Sequence, residues 1–198
     1  MRQNENTVLI GKRATLVPYK KEHVLRYHEW MKSEELQQLT ASEPLSLEQE
    51  YEMQASWHLD DDKCTFIVLD SELYQSSGSQ VESMAGDVNL FFNEHEDRTA
   101  AELEIMIAEP TLRGKGLGKE AALMMMRYGI DSLGVKRYTA KIGCSNQTSL
   151  SMFHKLGFTQ ISISEVFQEV TLQLNLDPEM VQRIQELTCG MKISTLER

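Results

Sequence analysis

Cysteine is scarce in this 198-residue chain and nowhere comes in close pairs. Cys64, Cys144 and Cys189 are odd in number, widely spaced and outside any C-x-x-C arrangement. That argues against a disulfide framework or a cysteine-based zinc site and points to free thiols in a reducing compartment. Positive charge is also short: 20 Lys and Arg stand against 30 Asp and Glu, a formal net charge of −10. Nucleic acid requires a basic face and anionic membranes favour one, so neither is an expected partner. A small molecule or a basic peptide meets no such obstacle, and a local basic pocket is compatible with the total. No apolar run approaches the roughly 18 residues of a membrane span. The opening MRQNENTVLIGKR lacks the apolar stretch of a secretory signal. A cytoplasmic location is the expectation.

The length suits one well-buried domain. Ala14 to Val17 reads as a first strand ended by Pro18, and Val24, Tyr27, His28 and Met31 recur at helical spacing. Ser46 and Gln49 form an S-x-x-Q capping box that opens a second helix. Strands are expected over 64–70, 86–93 and 101–108, with the acidic turn NEHEDRT between the last two. The polar stretch 71–83 reads as a loop. A helix from Lys119 to Leu133 is stopped by Gly134, RYTAKI (137–142) alternates as a strand, and a short helix from Asn146 to Leu156 is closed by Gly157. Strands near 158–164 and 167–174 follow. Asp177 and Pro178 then open a final helix, and the residues after Gly190 are expected to fray. The class is α+β: one mixed, mostly antiparallel sheet of about seven strands with about four helices and a C-terminal helix. Residues 1–174 form the domain and 175–198 a helical appendage and tail.

The segment PTLRGKGLGKEA (110–121) carries the chemistry. Gly114, Gly116 and Gly118 alternate with Lys115 and Leu117, Arg113 stands in front, and a helix begins behind them. A Walker A loop would need glycine where Lys119 stands. A dinucleotide fingerprint would need it at Lys119 or Ala121. The spacing satisfies R-x-x-G-x-G instead. Successive backbone amides converging at a helix start make an anion site.

This pattern resembles the pyrophosphate loop of the GCN5-related N-acetyltransferases (GNATs), which cradle coenzyme A. The element order resembles that family over residues ~8–174, and NQTSLSMFHKLGF (146–158) is similar to its N-x-x-[SA]…K-x-GF segment. The segments VPYKKEHVLRYHEWMKSEELQQLTASEPLSLEQEYEMQ and SEVFQEVTLQL further resemble the eukaryotic N-acetyltransferase-nine family. The resemblance implies acetyl-CoA as co-substrate, no metal, and a protein or peptide amine as acceptor. It also implies an association with tubulin and microtubules. It implies cofactor contacts from the 113–118 loop, Asn146, Ser149 and Phe153, and from the backbone of Met106, Ile107 and Ala108, where the strand should splay from its neighbour.

For a base, the strand AELEIMIAEP places Glu102, Glu104 and Met106 on one face and Leu103, Ile105 and Ile107 on the other. The apolar set belongs under the helix, which turns the glutamates toward the cleft. Either one accepts the amine proton, directly or through water, or both form a solvated polar face; Glu104 is favoured for its place nearer the splayed end. At a reference pKa of ~7.7–8.0, roughly a tenth of an α-amine is neutral at pH 7, against about 0.04% for lysine, so a weak base serves an N-terminal acceptor more easily. The tyrosine that many GNATs use to protonate the leaving sulfur is replaced by Phe153, which leaves water or Ser149 to do so. His154 reads as a surface or packing histidine and Cys144 as a buried spectator, not an acyl-carrying nucleophile. Phe153 also fits a microtubule-binding protein that retains coenzyme A but hardly turns over. A glutamate-lined cleft also fits a small-molecule amine acetyltransferase.

Overall fold

The computed structural model describes residues 2–94 and 96–196. His95, in the acidic turn read from the sequence, and Met1, Glu197 and Arg198 lie outside the described residues. The strands are β1 (Thr7–Ile10), β2 (Ala14–Pro18), β3 (Lys63–Asp70), β4 (Met84–Phe91), β5 (Ala100–Ile107), β6 (Arg137–Gly143), β7 (Thr159–Ser164), β8 (Glu169–Asn175) and β9 (Lys192–Thr195). The helices are α1 (Val24–Trp30), α2 (Glu34–Leu39), α3 (Leu47–Leu59), α4 (Ser71–Ser77), α5 (Gln80–Ser83), α6 (Leu117–Leu133), α7 (Gln147–Leu156) and α8 (Pro178–Leu187). All strands join one sheet in the order β7-β8-β6-β5-β4-β3-β2-β1-β9. Every pairing is antiparallel except β5 with β6.

Local chemistry explains the helix ends. The capping box of α3 forms in both directions, with Gln49 donating its amide to Ser46 Oγ at 3.2 Å and Ser46 donating its own to Gln49 Oε1 at 2.8 Å. Asn146 and Asp177 cap α7 and α8 by accepting from Ser149 N and Met180 N. Helices α6 and α7 end on Gly134 and Gly157, both in the left-handed region.

The sheet has two apolar faces. On one, Leu117, Ala121, Met124, Met125 and Tyr128 of α6, with Phe153 of α7 and Ile184 of α8, pack on Leu90, Leu103 and Tyr138. On the other, Tyr27 and Trp30 of α1 and Leu36 of α2 pack with Tyr51 and Trp57 of α3 on Ile67, Leu69 and Met106.

Among the described residues the expected seven strands become nine. β1 precedes the strand read as first, and its four residues are joined to β2 by a tight turn in which Gly11 donates to Ala14 O at 2.8 Å. β9 replaces the frayed end expected after Gly190, pairing Lys192–Thr195 antiparallel with β1. Its side chains are exposed, so no apolar alternation announced it; the open backbone edge of β1 holds it. The expected loop at 71–83 contains α4 and α5. Asp70 caps the first by accepting from Glu72 N and Leu73 N, Ser79 caps the second, and Gly78 breaks between them at φ 67°. Ser33 likewise caps the unexpected α2.

Candidate functional site

The site is built around the C-terminal half of β5. Leu103, Ile105 and Ile107 join the core under α6, while Met106 packs on the opposite face with α1 and α2, as the alternation predicts. The parallel ladder with β6 spans only Ala100–Glu102 against Arg137–Thr139. Beyond it β6 continues against β8 as far as Gly143, and β5 keeps β4 alone. The two strands therefore part from Leu103 onward, opening the expected gap.

The end of β5 is pinned. Arg113 donates from Nε to Ile107 O at 2.9 Å and from Nη2 to Ala108 O at 3.4 Å, and its Nη1 reaches Glu35 Oε1 at 3.0 Å. Ala108 N donates to Ala85 O at 2.8 Å. Glu109 accepts from Trp30 Nε1 at 2.7 Å and pairs with Arg26, which fastens this end to α1. The arginine expected at the phosphate loop is thus engaged by the strand end, and the Ile107 and Ala108 backbone groups have partners within the chain.

The loop itself turns through Gly114 at φ 72° and Gly116 at φ 83°. Both angles are sterically costly for a residue with a Cβ. Gly118 differs from its neighbours. It lies inside the first turn of α6, where a Cβ would sit 3.1 Å from Ile107 Cγ1, so its task is close helix–strand packing. Leu117 is buried beneath, and Lys115 stands exposed on the loop.

The two glutamates separate in role. Glu102 is 9% exposed and accepts from Lys141 Nζ at 2.8 Å and from Asn93 Nδ2 at 3.4 Å. That pairing raises Lys141 above the usual lysine range. Glu104 is exposed to solvent beside the buried Glu102, with protein packed around its carboxyl. Burial, then the neighbouring Glu102, pushes its carboxyl up to about 7, with Lys63 pulling the other way.

Beside Glu104 lies a polar line that the sequence reading missed. Asn89 is its cross-strand partner; Thr65 donates to Asn89 Oδ1 at 2.7 Å, and Asn89 donates to Asp87 Oδ2 at 2.8 Å. Burial holds the Asp87 carboxyl above its ordinary range, against hydrogen bonds from Asn89 and Tyr27 and the charge of Lys63. Lys63 is 5% exposed, its ammonium nitrogen 2.9 Å from the ring centre of Trp57 and 4.3 Å from that of Phe91. Burial pushes it down to about 7, opposed by Asp87 and Glu104. The alternation Asp87-Val88-Asn89-Leu90 carried the signal for this face.

On the far side of the gap, Asn146 Oδ1 is used in capping α7 at 3.1 Å from Ser149 N, and Ser149 is half-buried. Phe153 is buried against Phe158, with ring centres 5.0 Å apart and edge to face. It offers no proton donor. His154 is exposed and hydrogen-bonds the Phe158 carbonyl at 3.1 Å through Nδ1, and Cys144 is half-buried, not buried as expected. Cys64 is buried and its thiol is pushed up to about 12, and all three cysteines are free. Among the described residues no cluster of His, Cys, Asp or Glu is arranged to hold a metal ion.

Known proteins resemble this chain in sequence and in fold. The model of the acetyltransferase (GNAT) domain matches residues 13–159. The human alpha/beta-tubulin-N-acetyltransferase 9 is 59% identical over 191 residues, covering 95% of this chain and 92% of that protein. The N-acetyltransferase 9-like protein of Nematostella vectensis is 61% identical over 176 residues, covering 88% and 89%. The crystal structure of spermidine N-acetyltransferase from Vibrio cholerae, in complex with CoA and spermine, superposes with a TM-score of 0.72 at 16% identity. It covers 87% of this chain and 99% of that one, a likeness of fold. The chain belongs to the GNAT acetyltransferase family and is an acetyl-CoA-dependent N-acetyltransferase.

Proposed function

We propose that this acetyltransferase acts on a protein N-terminal α-amine, with αβ-tubulin as the acceptor, in the cytoplasm and in association with the cytoskeleton. The observation that carries the α-amine reading is Glu104, an accessible carboxylate held near neutrality on the wall of the cleft beside the parted strands. A base of that strength matches an amine of pKa ~7.7–8.0 and is poorly matched to one of ~10.4. The tubulin reading draws on the name of the human relative.

The residues divide the work as follows. Coenzyme A supplies the activated acetyl thioester when bound. The left-handed loop and the first amides of α6 receive the phosphates. Arg113 fixes the end of β5 through the Ile107 and Ala108 carbonyls and so sets the shape of the gap. Glu104 takes the proton that the amine gives up as the new C–N bond forms, while Glu102 stays paired with Lys141. The departing thiolate takes its proton from water or from the Ser149 hydroxyl, since Phe153 has none to give.

A peptide pair tests the α-amine reading. One peptide carries a free N-terminus and blocked lysines, the other a blocked N-terminus and free lysines, and both are incubated with acetyl-CoA and weighed intact. Acetylation confined to the first supports the reading; acetylation confined to the second overturns it.

A further inference from the structure

The loop keeps its shape, but its expected arginine is spent elsewhere: Arg113 binds two carbonyls and Glu35. A second guanidinium stands in its place. The Gly11-Lys12-Arg13 turn between β1 and β2 is pressed onto α6 so closely that a Cβ on Gly11 would meet Met124 Sδ at 2.6 Å. Glu120, in the first turn of α6, locks that turn with its carboxylate, accepting from Lys12 N at 3.0 Å, Arg13 N at 2.7 Å and Ala14 N at 3.0 Å. On the other side Arg13 O accepts from Ser71 N at 2.8 Å. A backbone held at both its amide and its carbonyl delivers the side chain to the loop, where Nη1 lies 2.8 Å from the position a Gly116 Cβ would occupy. Among the described residues no carboxylate or carbonyl accepts from that guanidinium. An unpaired arginine beside left-handed glycines at a helix start is chemically suited to a diphosphate, whose two phosphates each carry one negative charge.

We propose that Arg13 is the guanidinium of the diphosphate cradle, replacing Arg113 in that task, and that Glu120 is the positioning residue that holds it there. The proposal rests on the acetyl-CoA reading. Gly116 is required by its φ of 83°, and the arginine's flexible end lies over the space beside it.

Calorimetric titration of the full chain with coenzyme A and with dephospho-coenzyme A, which keeps the diphosphate and lacks the 3′-phosphate, tests this. Arg13→Gln is expected to weaken both ligands by the same factor, about tenfold, the usual scale of one charge-assisted contact. The dependence of affinity on salt should flatten in the variant. Arg13→Lys, which keeps the charge, is expected to recover most of the loss. The melting temperature of the ligand-free variants should match the parent, because the side chain holds nothing in the fold. Unchanged affinity in Arg13→Gln overturns the assignment, and so does a loss confined to coenzyme A, which would place Arg13 on the 3′-phosphate. A parent protein that binds neither ligand would overturn the acetyl-CoA reading itself, a result distinct from both.

Discussion

Replacing Glu104 with Gln keeps the size and shape of the side chain and removes its basicity. The magnitude follows from its carboxyl standing at about 7. A group of that pKa goes from roughly 9% to about 50% ionised between pH 6 and 7, a gain of about fivefold. Over the same interval an α-amine of pKa ~8 gains about ninefold in its neutral form. Since kcat/KM reports the free enzyme and free substrate, the parent should rise about fiftyfold from pH 6 to 7, whereas a carboxylate of ordinary pKa would leave only the ninefold amine limb. The sign is fixed by the role: the base works ionised, so activity is lost as pH falls through 7. In Glu104→Gln the steep component should vanish and the remaining activity fall by ~10²–10⁴-fold, with coenzyme A affinity little changed. The assay is kcat/KM for an N-terminal peptide across pH 5.5–9. A variant that keeps more than about half of parental activity, or a parent with only the shallow limb, would refute the assignment of Glu104 as base.

Three further outcomes follow from the same geometry. Glu102→Gln should retain activity within about tenfold, because that carboxylate is committed to Lys141, and its loss should shift the Glu104 limb to lower pH; a drop beyond about a hundredfold would reverse the roles. Lys63→Met should move that limb upward, since the lysine charge favours ionised Glu104. Unfolded lysine holds its proton to about 10.4 whereas Lys63 holds it only below about 7, so its contribution to stability declines as pH falls through that window. The Met variant should therefore show a flatter melting temperature between pH 10 and 7, and a profile parallel to the parent's would count against the buried-lysine account. Gly118→Val should cost about 1–3 kcal/mol in denaturant unfolding through overpacking against Ile107, and a variant as stable as the parent would show that the helix–strand contact yields freely.

How much of this could be read beforehand depended on sequence separation. The face of β5, the capping box at Ser46 and the glycine stops at Gly134 and Gly157 follow from patterns confined to a few neighbouring residues, whereas the parting of the strands was expected only from the family resemblance. The glycine loop was legible in its spacing, but the partners of the arginines around it were not. Arg113 lies beside the motif but bonds to the strand, while Arg13 reaches the loop from more than a hundred positions away through a turn that Glu120 holds. β9 escaped notice for the same reason, since its partner lies at the other end of the chain. Asp87 read as an ordinary strand residue and Lys63 stood just before an expected strand, because burial, which gives them their altered acidity, depends on the packing of α1 and α3 over them. Helices α4 and α5 were hidden by a composition rich in serine, which serves caps as readily as loops.

The central claim is transfer to a protein α-amine, and incubating purified αβ-tubulin with this protein and acetyl-CoA tests it most directly, with the modified site mapped by peptide mass spectrometry. The account predicts acetylation of a tubulin N-terminal α-amine that disappears with Glu104→Gln. Acetylation found on lysine side chains alone, or N-terminal acetylation undiminished in Glu104→Gln, would contradict it.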